Sequence, residues 1–327
     1  MTMRTLLCLT LVILTLTPPL ITDHTIMGAS AGRPTPPDQP TDGPGGSNYT
    51  HADYTEHHYG IGACSYWLFE PAMPTPATAP VIVFNHGYAA VTPHYYDAWV
   101  IHLVRRGNIV IYPRYQLGLL TGAIQATHHA IIAVRNALAI LNTSGHVTPD
   151  LTKFAIVGHS LGGGITAEMA AKASASGLPV PRAIMPVQPY VVNQTMITNF
   201  HDIPATTLML VVVGQNDYIA GTRSARMIFT TADQIPLDNK DYVIQRTDLH
   251  GTPGLIADHT APVCPNNSSW TNAMDYYSTW KLFDALTDYA FYGTDHDYCL
   301  GNTTQQRYMG LWSDGTPVKE LLVTDTP

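Results

Sequence analysis

Between residues 64 and 292 the chain alternates short, nearly continuous apolar runs with longer stretches whose apolar residues recur at helical spacing. The runs are Pro80–Asn85, Asn108–Tyr112, the β-branched Phe154–Val157, Arg182–Val187, Thr207–Gly214 and Tyr242–Gln245. Such runs read as strands buried on both faces, as in a parallel sheet. Tyr66–Phe69 precedes them as a further apolar stretch. Helical spacing appears at Tyr96, Trp99, Val100, Leu103 and Val104, with Gly107 where a helix would end. It returns at Ile131, Val134, Leu138 and Leu141, through Ile165–Ala171, and at Trp280, Phe283, Leu286 and Ala290. The pattern predicts an α/β fold, a mostly parallel sheet with helices on both faces. No internal repeat is evident.

The ends of the chain read differently. Residues 1–31 hold one early charge, Arg4, the apolar run Leu6–Leu16 ended by Pro18-Pro19, and a small-residue site at Ala29-Ser30-Ala31. This is the grammar of a secretory signal peptide, and the run is short of the ~20 residues a spanning helix needs. A secreted or extracytoplasmic protein is expected, without stable membrane insertion if the leader is cleaved and membrane-anchored if it is not. Residues 32–50, rich in Pro, Gly, Thr and Asp, are expected to be a flexible linker, and residues 51–327 a single catalytic domain.

Composition narrows the partners. Of 327 residues, 12 % are charged and the net charge is −8, with no basic block. Nucleic-acid binding, which needs clustered Lys and Arg, is not expected. Four cysteines are present. With Cys8 in the leader, an oxidising compartment predicts a Cys264–Cys299 disulfide across the last long helix, with Cys64 buried and free.

Chemistry enters at Gly158-His159-Ser160-Leu161-Gly162, directly after the strand Phe154–Val157 and directly before a helix. A GxSxG in that context is a nucleophile elbow: Gly158 and Gly162 permit a tight turn, Ser160 is presented above the sheet, and the Leu161 N–H faces a developing oxyanion. In such sheets the chemistry collects beyond the carboxyl ends of the strands. After Asn85 comes His86-Gly87-Tyr88, which offers the Tyr88 N–H as a second oxyanion donor; after Gly214 comes Asp217, as acid or merely as a helix cap. After Gln245 comes Asp248-Leu249-His250, and later Asp258-His259. His250, nearer its strand, is the expected base and His259 the alternative, with Asp248 a rival to Asp217 as the acceptor that holds the base's tautomer.

These residues carry a family resemblance. The chain resembles the α/β-hydrolases over residues 64–292, in the order Ser160, Asp217, His250. Within them it is similar to a compact branch of secreted esterases and lipases, chlorophyllase-like and polyester-hydrolase-like. That branch is suggested by the His86-Gly87-Tyr88 segment and by the short passage from Gln188 to Thr206, which leaves no room for a large cap domain. The HGGG signature of one lipase group is absent. The resemblance implies a two-step acyl transfer on a small or polymeric ester, with no metal and no organic cofactor. Peptidase, acyltransferase and thioesterase chemistry would use the same parts, and a non-catalytic secreted binding protein could stand on the same scaffold. His51, His57 and His58 lack the partners of a zinc site, and Asp295-His296-Asp297 reads as a polar loop. His159 is expected to pack beside the nucleophile, and Tyr95, Tyr96, Tyr276 and Tyr277 to serve as core and rim.

Overall fold

The computed structural model describes residues 32–327 except 118–122, 193–198 and 266–270; the expected leader at residues 1–31 lies outside them. Among the described residues nine strands form one sheet: β1 (Asp53–Tyr59), β2 (Tyr66–Ala72), β3 (Thr78–Asn85), β4 (Ile109–Pro113), β5 (Thr148–His159), β6 (Ala183–Val187), β7 (Leu208–Gly214), β8 (Lys240–Gln245) and β9 (Leu322–Thr324). Their order is β1-β2-β4-β3-β5-β6-β7-β8-β9. The six from β4 to β8 run parallel, and β1, β2 and β9 add antiparallel edges. The helices are α1 (Asp97–Arg105), α2 (Ala123–Leu141), α3 (Leu161–Lys172), α4 (Arg223–Thr231), α5 (Trp280–Tyr292) and the single-turn α6 (Thr304–Arg307).

Alternation along the central strands splits the core into two layers. Val81 and Val83 of β3, Phe154 and Ile156 of β5, and Met209, Val211 and Val213 of β7 pack with Ile131, Val134 and Leu138 of α2 and Ile165 of α3. Ile82, Phe84, Ala155, Val157, Leu210 and Val212 face the other way, onto Trp99 and Leu103 of α1 and Trp280, Phe283 and Leu286 of α5. Period-two side chains on strands covered on both sides require this division. Gly107 takes φ 108° just past α1, the left-handed close that its position predicts. Among the described parts of the passage between β6 and β7, Val191 N–H donates to Ser224 Oγ and Phe200 N–H to Thr231 Oγ1, which ties both ends to α4.

Two expectations are corrected. Residues 33–50 are not a free linker: Thr252 N–H donates to Pro34 O at 2.8 Å, and Gly45 N–H donates to Asp284 Oδ2 at 2.7 Å. The segment has few apolar side chains, but its backbone satisfies buried polar groups, which composition does not report. Burial alone would raise Asp284, yet Arg106 and His102 hold its carboxyl below the usual range. The described cysteines are also unpaired: Cys264 and Cys299 are buried and free, and Cys64 is free but half-buried. The Cys299 thiol instead lies 3.3 Å from His296 O. Among the described residues no helix is long and apolar enough to cross a membrane.

Candidate active site

The elbow forms because β5 runs straight into α3 with no room at two positions. A Cβ on Gly158 would sit 2.5 Å from Gly162 O, and one on Gly162 would sit 2.2 Å from Asn85 O. The second contact locks the start of α3 against the end of β3, whose Asn85 pairs with Gly158. Ser160 itself takes φ 57° and ψ −122°, a strained conformation for a residue with a side chain. Its backbone is held on three sides: its N–H donates to Val187 O, and its carbonyl accepts from Gly163 N–H and Tyr190 N–H. Leu161 opens α3, where backbone N–H groups have no acceptor within the helix. Gly87 lies alongside, since a Cβ on it would be 3.5 Å from Ser160 Cβ.

The structure brings His259, not His250, to Ser160. His259 Nε2 lies 2.9 Å from Ser160 Oγ, and its Nδ1 lies 2.8 Å from Asp217 Oδ2. Asp217 follows β7 as expected, and its other oxygen, Oδ1, accepts from Ile219 and Ala220 N–H, each at 2.9 Å. Burial would raise this carboxyl, but the hydrogen bond from His259 and those from the two backbone groups hold it below its usual range. The side chain of Asp217 is fully buried and that of His259 is 12 % exposed.

The expectation for His250 fails because of the path taken after β8. Asp248 and Leu255 exchange backbone hydrogen bonds at 2.8 Å, so residues 249–254 form an outward excursion. His250 lies on it, exposed, with Nε2 2.8 Å from Asp314 Oδ2. The chain then returns: Ala257 O accepts from Asn216 N–H at 2.9 Å, and Ala257 N–H donates to Thr247 Oγ1 at 3.0 Å. This return delivers His259 beside Asp217. Asp248 is likewise not the acceptor, because its Oδ2 takes Trp312 Nε1–H and Lys319 N–H from the C-terminal segment. Proximity in sequence to the strand end favoured His250, and no local signal reveals the excursion.

An open cleft of about 350 Å³ surrounds Ser160 and His259. Tyr88, Tyr95 and Ile219 line it and are all exposed, whereas Tyr96 and His159 form its buried floor. The histidines of the N-terminal segment are apart from it: His51 Nδ1 meets Pro74 O, and His58 stacks on Trp67 at 4.3 Å. Among the described residues no three His, Cys, Asp or Glu side chains are grouped to hold a metal.

His159 is fully enclosed, and burial, reinforced by the neighbouring His259, lowers its pKa to about 3. An unfolded chain binds a proton there below pH ~6.5, while the folded one does not until about pH 3. Folding stability contributed by this group is therefore lost as pH falls below 6.5. Relative to His159→Phe, the wild type is expected to lose ~1.4 kcal/mol per pH unit between pH 6 and 4, read by urea unfolding at stepped pH. A gap between the two proteins that stays constant with pH would show that the folded ring takes up its proton at the ordinary value.

Residues 67–199, from β2 through the elbow and past β6, match the chlorophyllase family, an α/β-hydrolase family. A comparison with curated proteins gives no match. The stretch similar to chlorophyllase contains Ser160 and His86-Gly87-Tyr88 but ends before Asp217 and His259. With that similarity and one mostly parallel sheet covered by helices, the chain is a single-domain protein of the α/β-hydrolase fold.

Proposed function

We propose that the protein is a serine hydrolase of carboxylic esters. The observation that carries this reading is His259, in hydrogen-bond reach of both Ser160 Oγ and Asp217 Oδ2. With its Nδ1–H donated to Asp217, the ring keeps a lone pair on Nε2 for the serine proton. Ser160 Oγ then adds to the ester carbonyl while its proton passes to Nε2. The carbonyl oxygen becomes an oxyanion that Leu161 and Tyr88 N–H stabilise. The tetrahedral intermediate collapses with transfer of the Nε2 proton to the leaving alkoxide, which departs as an alcohol. Water, deprotonated by the same nitrogen, cleaves the acyl-enzyme to acid and free Ser160. Asp217 stays ionised throughout and stabilises the imidazolium.

The cleft supports a substrate class. Its exposed rim of Tyr88, Tyr95 and Ile219 suits short or bulky apolar esters, including segments of a polymer, better than a long acyl tail that needs an enclosed tunnel. The apolar leader read at residues 6–16 supports export, so that the ester would be met outside the cytoplasm. With p-nitrophenyl esters of increasing length, activity is expected to decline beyond medium chains, and a fluorophosphonate is expected to label wild-type protein but not Ser160→Ala. Preference for long chains would contradict the open-cleft argument. Folded wild type that takes no label would instead favour a binding protein on a hydrolase scaffold.

A further inference from the structure

We infer that His159 is a positioning residue that ties the loop carrying Tyr88 to the loop carrying His259, through a one-directional hydrogen-bond chain that fixes it as the Nε2–H tautomer. This rests on the esterase reading of Ser160. The chain starts at Gly87, whose N–H donates to Tyr96 Oη at 3.0 Å. The phenol, having accepted there, has its own hydrogen for His159 Nδ1 at 2.8 Å. Gln188 turns its amide NH₂ to a carbonyl, so the atom it sets 3.2 Å from His159 Nε2 is the acceptor Oε1; Nε2 carries the hydrogen and donates it there, and the neutral ring leaves Nδ1 bare for the phenol. Gln188 Nε2 ends the chain by donating to Asp258 O at 2.7 Å. Each link runs the same way, from the Gly87 N–H to the Asp258 carbonyl, and the His159 ring also has the His259 backbone within hydrogen-bond reach.

The two ends are what give the chain a role. Gly87 immediately precedes Tyr88, and Asp258 immediately precedes His259. These two loops leave different strands, β3 and β8, and both line the cleft beside Ser160. A half-ångström drift of either would spoil an oxyanion contact or the 2.9 Å contact to Ser160. Gln188 holds a left-handed backbone, φ 44°, in presenting its amide to both partners. The His159 ring also lies 4.8 Å from that of His259. A charge on His159 would oppose the imidazolium that forms during turnover, and a neutral ring does not. The lowered pKa of the enclosed ring agrees with the neutral state that a bare Nδ1 requires.

Tyr96 and Gln188 meet through His159, which predicts a coupling that separate packing roles would not produce. Tyr96→Phe and Gln188→Leu are each expected to lower kcat by about tenfold with KM changed less than about twofold, and the double variant to be little worse than either single one. His159→Phe should lose as much as the double variant, and His159→Asn, whose amide oxygen replaces the Nδ1 acceptor, should recover part of it. All are compared per mole of fluorophosphonate-titrated Ser160. In the wild type, the ¹⁵N spectrum of the imidazoles is expected to show His159 protonated at Nε2 alone, a readout that needs no variant to fold. Losses in Tyr96→Phe and Gln188→Leu that multiply, an unchanged kcat, or a ring protonated at Nδ1 would overturn the inference while leaving the esterase reading intact. Folded wild type that neither labels nor turns over would overturn the esterase reading and this inference with it.

Discussion

His259→Ala is expected to lower kcat/KM for an ester by about 10³-fold or more, while His250→Ala leaves it within about twofold. The contrast follows from the course of the chain after β8. His259 is the side chain within hydrogen-bond distance of both Ser160 and Asp217, and no other described histidine shares those two partners. Its removal leaves Ser160 a neutral alcohol with no acceptor for its proton. The loss should therefore fall on kcat and on the rate of fluorophosphonate labelling alike. His250 sits on an outward turn with its ring paired to the exposed Asp314, so truncation removes a surface contact and nothing at the cleft. Parallel kinetics on the two variants, with circular dichroism to establish folding, decide the matter. Turnover that survives in His259→Ala and collapses in His250→Ala would mean that the two loops exchange places in the working enzyme.

Asp217→Asn should be nearly as severe, on the order of 10³- to 10⁴-fold in kcat, with little change in KM. The reason lies in which atom of the new amide can face the histidine. Ile219 and Ala220 N–H groups both donate to Asp217 Oδ1. They require an acceptor, so the asparagine oxygen is held there and its NH₂ is turned to His259 Nδ1. A donor facing Nδ1 forces the hydrogen onto Nε2, and the ring can no longer take the serine proton. The protein should stay folded, because the two backbone groups remain satisfied. Asp248→Asn, by contrast, should leave kcat within about twofold, since that carboxylate holds Trp312 and Lys319 away from the cleft. Asp217→Asn that keeps more than about a tenth of wild-type kcat would remove the carboxylate from the mechanism.

Features that depend on neighbours along the chain are legible from the residues alone. The six parallel strands announce themselves because segments covered on both faces are nearly continuous apolar runs, and the helices because their buried stripes repeat every three to four residues. The elbow is legible from its spacing between a strand and a helix, and Gly158 is dictated by contacts within the turn and first turn of α3, although Gly162 is dictated by the end of β3, far away in sequence. Asp217 belongs to the same class, lying directly beyond a buried strand. The edge strands β1 and β9 escaped notice because mostly exposed residues such as Glu56, His57 and His58 leave no apolar signal. The base was settled by tertiary structure, since choosing between His250 and His259 depends on an Asp248–Leu255 bridge and a return past Asn216 that no spacing rule encodes. The Pro/Gly segment of residues 33–50 owes its order to Asp284 and Thr252, far away in sequence, and the separation of Cys264 and Cys299 follows from where each is buried. His159 is the sharpest case. Its place in the GxSxG is plain from the sequence, but its tautomer and its reach to both loops come from Tyr96 and Gln188, which only the closed fold sets on either side of the ring.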